Sequence, residues 1–301
     1  VTIDSEKGEI CVYNDGTGID VAYHPSEKDK DGNKVWIPAL IFGELLTSIN
    51  YDKSEKKIVG GKNGYGAKLT NIFSIDFELK TVDHIRGKKY VQKYSNHMKT
   101  KGKPIITNTK SKPYTKITWT TDFKRFGITK YSEFMINLMT RRVYDIAGIT
   151  NNKVSVFLNN KKIKMNDFLD YSKMYLSKDD NIVYEKIHER WKIGVCVSKT
   201  DKFEQISFVN GIATFKGGKH VDYISKLIIN GIKTYILKKN KKTIQDNYIR
   251  NYLRLFIDSV IENPSFDSQT KERLISTPSK FGSKPELSDK FIKSIIDKTD
   301  I

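Results

Sequence analysis

The stretch 60-GGKNGYGAKLTNIFS-74 decides how the rest of the chain reads. Gly60, Gly61, Gly64 and Gly66, with Lys62, Asn63 and Lys68, stand directly before the apolar residues Leu69, Ile72 and Phe73. The spacing predicts a helix over Ala67–Ser74, entered through bare backbone. Successive backbone N–H groups at a helix start form an anion site, and glycine permits the close approach and the φ values it needs. Gly61, Asn63, Gly64, Tyr65, Gly66 and Ala67 can therefore wrap a triphosphate, with Lys68 as a point charge. The loop is not GxxxxGK[ST], because Ala67 separates Gly66 from the lysine, and Leu69, not a hydroxyl residue, follows it. No buried parallel strand precedes it, so it is not a dinucleotide fingerprint either. A plain flexible glycine loop stays open as the alternative.

A second break, Asn14-Asp15-Gly16-Thr17-Gly18, ends a strand-like run. An amide at a strand end can both donate to and accept from a purine edge, and Gly16 and Gly18 would let a base approach the backbone. The competing reading of Asn14 is an Asx turn. Two such elements flanking one helix favour a nucleotide site over two unrelated turns.

The chain bounds these readings. Its 301 residues, 38% hydrophobic, suffice for one large domain or two ordinary ones. No run of eighteen apolar residues occurs, so no membrane span is expected. The two cysteines, Cys11 and Cys196, are far apart and read as buried reduced thiols in an intracellular protein, with no zinc-ligand spacing nearby. Fifty-three basic against thirty-five acidic residues give a formal charge of +18, which favours a polyanionic partner without identifying one.

Val1–Ile3 and Ile10–Tyr13 read as a hairpin, His24–Lys34 as an exposed polar loop, and Trp36–Leu46 as a helix with Pro38 near its start. FELKTVD, KKYVQKYS and YTKITWT alternate as antiparallel strands with one solvated face. Tyr131–Ala147 has helical periodicity and can lie across that sheet. A small hairpin surrounds Leu158–Lys161, and the domain boundary is set there, giving 1–155 and 156–301. Beyond it, 188–197 and 203–214 read as strands, Tyr223–Leu237 and Ile244–Asn251 as helices, and Leu253–Ile261 as a strand. Thr270–Ser276 and Glu286–Thr299 are helix candidates. The fold class is α+β, with a split βαβ pattern in the second half. Trp36, Trp119 and Trp191 read as core, and the scattered histidines as structural or surface residues.

NDGTGI, WIPALIFGELLTSINYD, EKKIVGGKNGYGAKLTNIFS, RRVYDIAG, QISFVNGIAT, KGGKHVDY and IENPSFDSQTKE together resemble the ATPase region of eukaryotic-type DNA topoisomerase II. The resemblance runs in order over nearly the whole chain. It implies a gyrase/Hsp90-type ATP-binding sandwich of antiparallel sheet and helices, followed by a transducer domain of ribosomal-S5-like fold. It implies that Asn14 meets adenine, that Ser48 and Asn50 contact sugar and phosphate, and that Ile49 contributes its backbone N–H where many relatives have serine. Gly61, Lys62, Asn63, Gly64, Tyr65, Gly66, Ala67 and Lys68 match the phosphate-wrapping loop, and Thr115 matches the threonine near the base. Gln269 and Lys271 match the transducer loop that reaches the γ-phosphate; without the resemblance they read as a helix cap. A lysine there stabilises developing charge and senses whether the γ-phosphate is present.

The same resemblance implies ATP and Mg²⁺ as cofactors, double-stranded DNA as partner, a homodimer in the full-length protein, and a nuclear location by default. Lys238, Lys239, Lys241 and Lys242 resemble the family's DNA-facing lysine run, with salt-sensitive phosphate contacts expected. In the family a helix upstream of the first strand carries the general-base glutamate and the Mg²⁺-ligating asparagine. Neither lies within Val1–Ile301, so the expectation is a chain that binds nucleotide weakly and hydrolyses it poorly. The DNA-cutting tyrosine is likewise outside it. The rival readings are a MutL- or Hsp90-like ATPase, and a nucleic-acid-binding module with a vestigial nucleotide site.

Overall fold

The computed structural model describes residues 1–29, 31–45, 55–61, 64–150 and 152–299. Ser48, Ile49, Asn50, Lys62 and Asn63, expected at the site, lie outside them. The chain divides into two compact units. The first comprises Val1–Asp52, Gly61–Val143 and Val156–Ile163, and the second Lys53–Gly60, Tyr144–Ser155 and Lys164–Ile301.

In the first unit the chain runs β1 (Thr2–Asp4), β2 (Glu9–Asn14), β3 (Tyr23–Lys28), β4 (Lys34–Trp36), α1 (Ile37–Gly43), α2 (Gly66–Ile72), β5 (Ser74–Asp83) and β6 (Lys88–Ser95). β7 (Thr100–Lys101), β8 (Ile105–Asn108) and β9 (Tyr114–Thr121) follow, then α3 (Glu133–Ile149), within which the two units divide. The hairpin β10 (Phe157–Leu158) and β11 (Lys161–Lys162) completes the unit. Its seven-stranded sheet has the order β1-β2-β9-β5-β6-β7, with β8 also on β6, and its ladders are antiparallel.

Period-two alternation puts Phe77, Leu79, Thr81 and Asp83 on one face of β5. Phe77 and Leu79 are buried there with Tyr90, Tyr94, Val21 and Phe42 of α1, and Ala67 of α2 packs against the same cluster. Helix α1 forms where Pro38 fixes φ in the first turn, and it buries Pro38, Leu40 and Phe42.

The polar segment His24–Lys34 is not the loop its composition suggests. It contains most of a β3–β4 hairpin, because the Tyr23 ring stacks on Trp36 across the pair at 4.0 Å between centroids. Asp29 Oδ1 closes the turn by accepting N–H from Asp31 (2.9 Å) and Asn33 (2.8 Å).

The second unit runs α4 (Phe168–Lys173), β12 (Val183–His188), β13 (Trp191–Val197), β14 (Glu204–Val209), β15 (Ile212–Ala213), α5 (Lys219–Asn240), α6 (Asp246–Asn251), β16 (Leu253–Ser259) and α7 (Asp289–Lys298). The sheet order is β12-β13-β16-β14-β15, and β14 lies parallel to β16. Residues 188–197 are therefore not one strand, since Glu189 and Arg190 turn the chain from β12 into β13.

Both faces of this sheet are buried, which explains the nearly continuous apolar run of β13. Trp191, Ile193, Val195, Leu253, Leu255 and Ile257 pack with Ile224, Ile228 and Ile232 of α5 and with Phe291 and Ile295 of α7. On the opposite face Cys196 and Phe256 pack with Phe168, Tyr171 and Phe208. Trp191 is fully buried, while Trp36 and Trp119 are partly buried against the first unit's core. Both thiols are free, but Cys11 is only half-buried; burial pushes the Cys196 thiol up to about 12.

Thr270–Ser276 is not helical. It is the tip and return of a loop in which Asp267 N–H bonds Arg273 O (3.1 Å), Lys271 N–H bonds Ser268 O (3.2 Å) and Ile275 N–H bonds Ser265 O (2.9 Å). Local side chain-to-backbone bonding from Asp267 competes with helix formation here: Arg273 N–H reaches Asp267 Oδ1 at 3.3 Å.

Candidate nucleotide site

Strand register builds the first part of the site. Asn14 at the end of β2 pairs with Thr115 on β9, and Thr115 pairs with Thr81 on β5. The three residues thus form one row across the sheet, on the face that carries α1 and α2. The hydroxyls of Thr81 and Thr115 are 3.1 Å apart. Thr81 Oγ1 donates to Tyr114 O (2.9 Å) and accepts Ile19 N–H (3.0 Å). With the Thr81 proton committed to Tyr114, the Thr115 proton points to Thr81, and the Thr115 oxygen faces away with its acceptor capacity intact.

The Asn14–Gly18 turn is held against this row. Asn14 Oδ1 accepts Gly16 N–H at 3.2 Å, so the Asx turn does form, at an exposed residue. Gly18 sits at φ +80°, and a Cβ there would lie 2.0 Å from Val82 O. Only glycine allows this turn to lie on the backbone of β5. Beyond it, Val21 N–H donates to Asp83 Oδ2 at 2.9 Å. Asp83 is buried, and burial opposes its charge. The Arg86 guanidinium (2.7 Å), Val21 N–H and Arg86 N–H nevertheless hold its carboxyl below the usual 3.8.

Gly64 (φ +64°), Tyr65 and Gly66 lead into α2, whose first turn closes through Leu69 N–H to Tyr65 O at 2.8 Å. Among the described residues, a Cβ on Gly66 would meet no atom within 4 Å. Lys68 and Asn71, three residues apart on α2, are both only 1% exposed. Asn71 Nδ2 donates to Phe42 O at 3.1 Å, tying α2 to α1. Burial lowers the Lys68 pKa, and the nearby Glu44 carboxylate partly restores it. Glu44 caps the end of α1 and pairs with Lys101.

In the second unit Lys271 occupies the left-handed region at φ +60°, where a residue with a Cβ is uncommon. Burial lowers its pKa. Gln269, two residues away on the same tip, is exposed.

A model of the DNA gyrase B family matches residues 152–301. The DNA topoisomerase 2 of Acanthamoeba polyphaga mimivirus is 47% identical over 302 residues, covering 98% of this chain and 23% of that protein. The ATPase region of Saccharomyces cerevisiae topoisomerase II is 44% identical with a TM-score of 0.88, covering 99% of this chain and 76% of that one. The ATPase and transducer domains of DNA topoisomerase II from Balamuthia mandrillaris are 41% identical with a TM-score of 0.91, covering 100% and 76%. The chain belongs to the topoisomerase II ATPase-region family. It spans about a fifth of the length of the whole topoisomerases it matches, 19–23% of each.

Within this topoisomerase II ATPase region, register brings together Asn14 and Thr115, which are far apart in sequence. Lys68, read as the point charge of the phosphate loop, is buried with Glu44 nearby. Glu44 is half-buried and shares its charge between Lys101 and Lys68. Thr81 and Asp83 were not anticipated. Their signal was the inward parity of FELKTVD, in which a threonine and an aspartate continue the face begun by Phe77 and Leu79. Lys238 and Lys239 form the last turn of α5, Lys241 is its left-handed C-cap at φ +56°, and all four lysines of the run are exposed. Cations there also suit the negative end of the helix dipole.

Proposed function

We propose that this chain binds and senses ATP as the clamp region of a type II DNA topoisomerase, coupling ATP hydrolysis in the parent protein to duplex passage. The row Asn14–Thr115–Thr81 carries the reading, because it sets an amide and an oriented hydroxyl side by side on the helix-bearing face of the sheet. An adenine edge offers complementary donors and acceptors. The backbone of Gly64–Ala67 then supplies N–H groups for phosphates, and Lys68 supplies charge once it turns from Glu44.

Gln269 and Lys271 belong to the same reading as the contacts of the second unit with the γ-phosphate. A lysine aimed at that group stabilises charge that develops in the transition state, and its contact ends when the phosphate leaves. Among the described residues no three His, Cys, Asp or Glu side chains converge on one point. In this reading Mg²⁺ enters on the triphosphate oxygens. Duplex DNA is the proposed partner of Lys238, Lys239, Lys241 and Lys242, through phosphates and without base reading. Dimerisation and nuclear location are proposed from the family alone.

Calorimetric titration with a non-hydrolysable ATP analogue and Mg²⁺ tests the reading. Binding that falls in Asn14→Ala and in Lys68→Ala is the expected result. No binding in the unaltered chain would leave a DNA-binding remnant as the better account.

A further inference from the structure

A second segment of the same unit, Thr214–His220, brackets the chain that follows the left-handed Lys271. Lys216 N–H donates to Glu272 O (2.9 Å), Leu274 N–H to Gly217 O (3.1 Å) and Lys219 N–H to Leu274 O (3.0 Å). Gly218 forms an isolated parallel bridge with Leu274, and Lys216 pairs with Glu272 through its ammonium. The residues on both sides of Lys271 are thus tied down, on one side by the Ser268 turn and on the other by this bracket.

The bracket has little tolerance. Gly218 lies at φ +131°, and a Cβ there would meet Leu274 O at 2.3 Å and Leu274 N at 2.6 Å. Beneath it runs a buried polar chain. Gly217 N–H donates to Thr214 O at 2.8 Å, and Thr214 Oγ1 donates to Ser207 O at 2.9 Å. Since that proton is used, the Thr214 oxygen accepts from His220 Nε2, 3.2 Å away. His220 is fully buried, and burial pushes its pKa down to about 3, so the ring is a neutral prop under the start of α5. The first turn of α5 is not a vacant anion site, because Leu274 O already accepts the Lys219 N–H.

We propose that Gly218 and Thr214 are positioning residues that hold the Lys271 loop in its left-handed conformation and so set the lysine for a terminal phosphate. This rests on the reading that Lys271 meets the γ-phosphate. Neither residue touches nucleotide; each acts through the loop it braces. Removing the brace should therefore cost discrimination between triphosphate and diphosphate, and not affinity for the parts they share.

The test compares calorimetric affinities for a non-hydrolysable ATP analogue and for ADP, both with Mg²⁺, on the full chain. Lys271→Ala should reduce the triphosphate-to-diphosphate ratio by about tenfold or more, the scale of one hydrogen bond to a charged group. Gly218→Ala should reduce it by a similar factor with ADP affinity unchanged. The double variant should lose no more than Lys271→Ala alone. Thr214→Val should lower the ratio and Thr214→Ser should retain it. That pair decides the matter if Gly218→Ala does not fold. Amide exchange is the ligand-free readout: residues 266–275 should exchange faster in Gly218→Ala while β13 and β16 keep their protection.

An unchanged ratio in Gly218→Ala, an equal loss for both nucleotides, or full additivity with Lys271→Ala would overturn the proposal. So would unchanged exchange in 266–275. An unchanged ratio in Lys271→Ala overturns the phosphate reading instead, and is recognised because exchange in Gly218→Ala still rises.

Discussion

Thr81→Val removes one hydroxyl while nearly conserving volume, so its effect can be worked out from the hydrogen bonds it breaks. The Thr81 hydroxyl accepts Ile19 N–H at 3.0 Å, donates to Tyr114 O at 2.9 Å and lies 3.1 Å from Thr115 Oγ1. Thr81 itself is fully buried. A buried group left without its partner costs about 1–3 kcal/mol. Ile19 and Tyr114 are only half-buried, so water recovers part of their loss. The expected cost is therefore about 2–4 kcal/mol, from the lower end of that range applied to the broken contacts. Thr81→Ser keeps the hydroxyl and loses one methyl, which should cost about 1 kcal/mol. Amide hydrogen exchange in β5 and β9 measures both variants without assuming that the two units unfold together. Nucleotide affinity should follow the same order, since the Val variant frees the Thr115 proton from its direction toward Thr81. A Val variant as well protected as the Ser variant would refute the assignment of these bonds.

Gly18→Ala should disrupt the turn after Asn14, because the added Cβ would lie 2.0 Å from Val82 O at φ +80°; loss of nucleotide binding with β13 and β16 still protected checks this. Asp83 has a folded pKa held below 3.8, so its stabilisation is complete above that value and is lost as pH falls through the lower folded pKa. Acid unfolding of the unaltered chain and of Asp83→Asn should therefore converge as the pH drops below that window, and a constant gap would contradict it. Replacing Lys238 and Lys239 by alanine should weaken duplex binding uniformly across sequences and reduce its salt dependence by about two counterion contacts. A sequence-dependent loss would count against phosphate-only contact.

The architecture was legible wherever the hydrophobic period was strong. β5, β6 and β9 alternate cleanly because one face of their sheet is covered by helices. β13 reads as a continuous apolar run because both its faces are buried. Misreadings fall where few residues decide the outcome. His24–Lys34 is polar throughout, yet one Tyr23–Trp36 stack at its margin suffices to pair its strands. SQTKE has helix-forming composition, but Asp267, Ser268 and the bonds to Lys216 and Gly217 pull it into a turn.

The sequence by itself determined which residues are candidates for nucleotide binding, because glycines, an amide at a strand end and lysines advertise their chemistry locally. It also determined the family, through the order and spacing of its motifs. Only the tertiary structure decided which of those groups meet. Asn14, Thr81 and Thr115 are separated by scores of residues, and antiparallel register alone puts them in one row. Burial decided the setting of Lys68, and the bonds of Gly217 and Lys219 to Leu274 bracket the segment that follows Lys271. Register, burial and backbone bracing are properties of several segments at once, so no local window of sequence contains them.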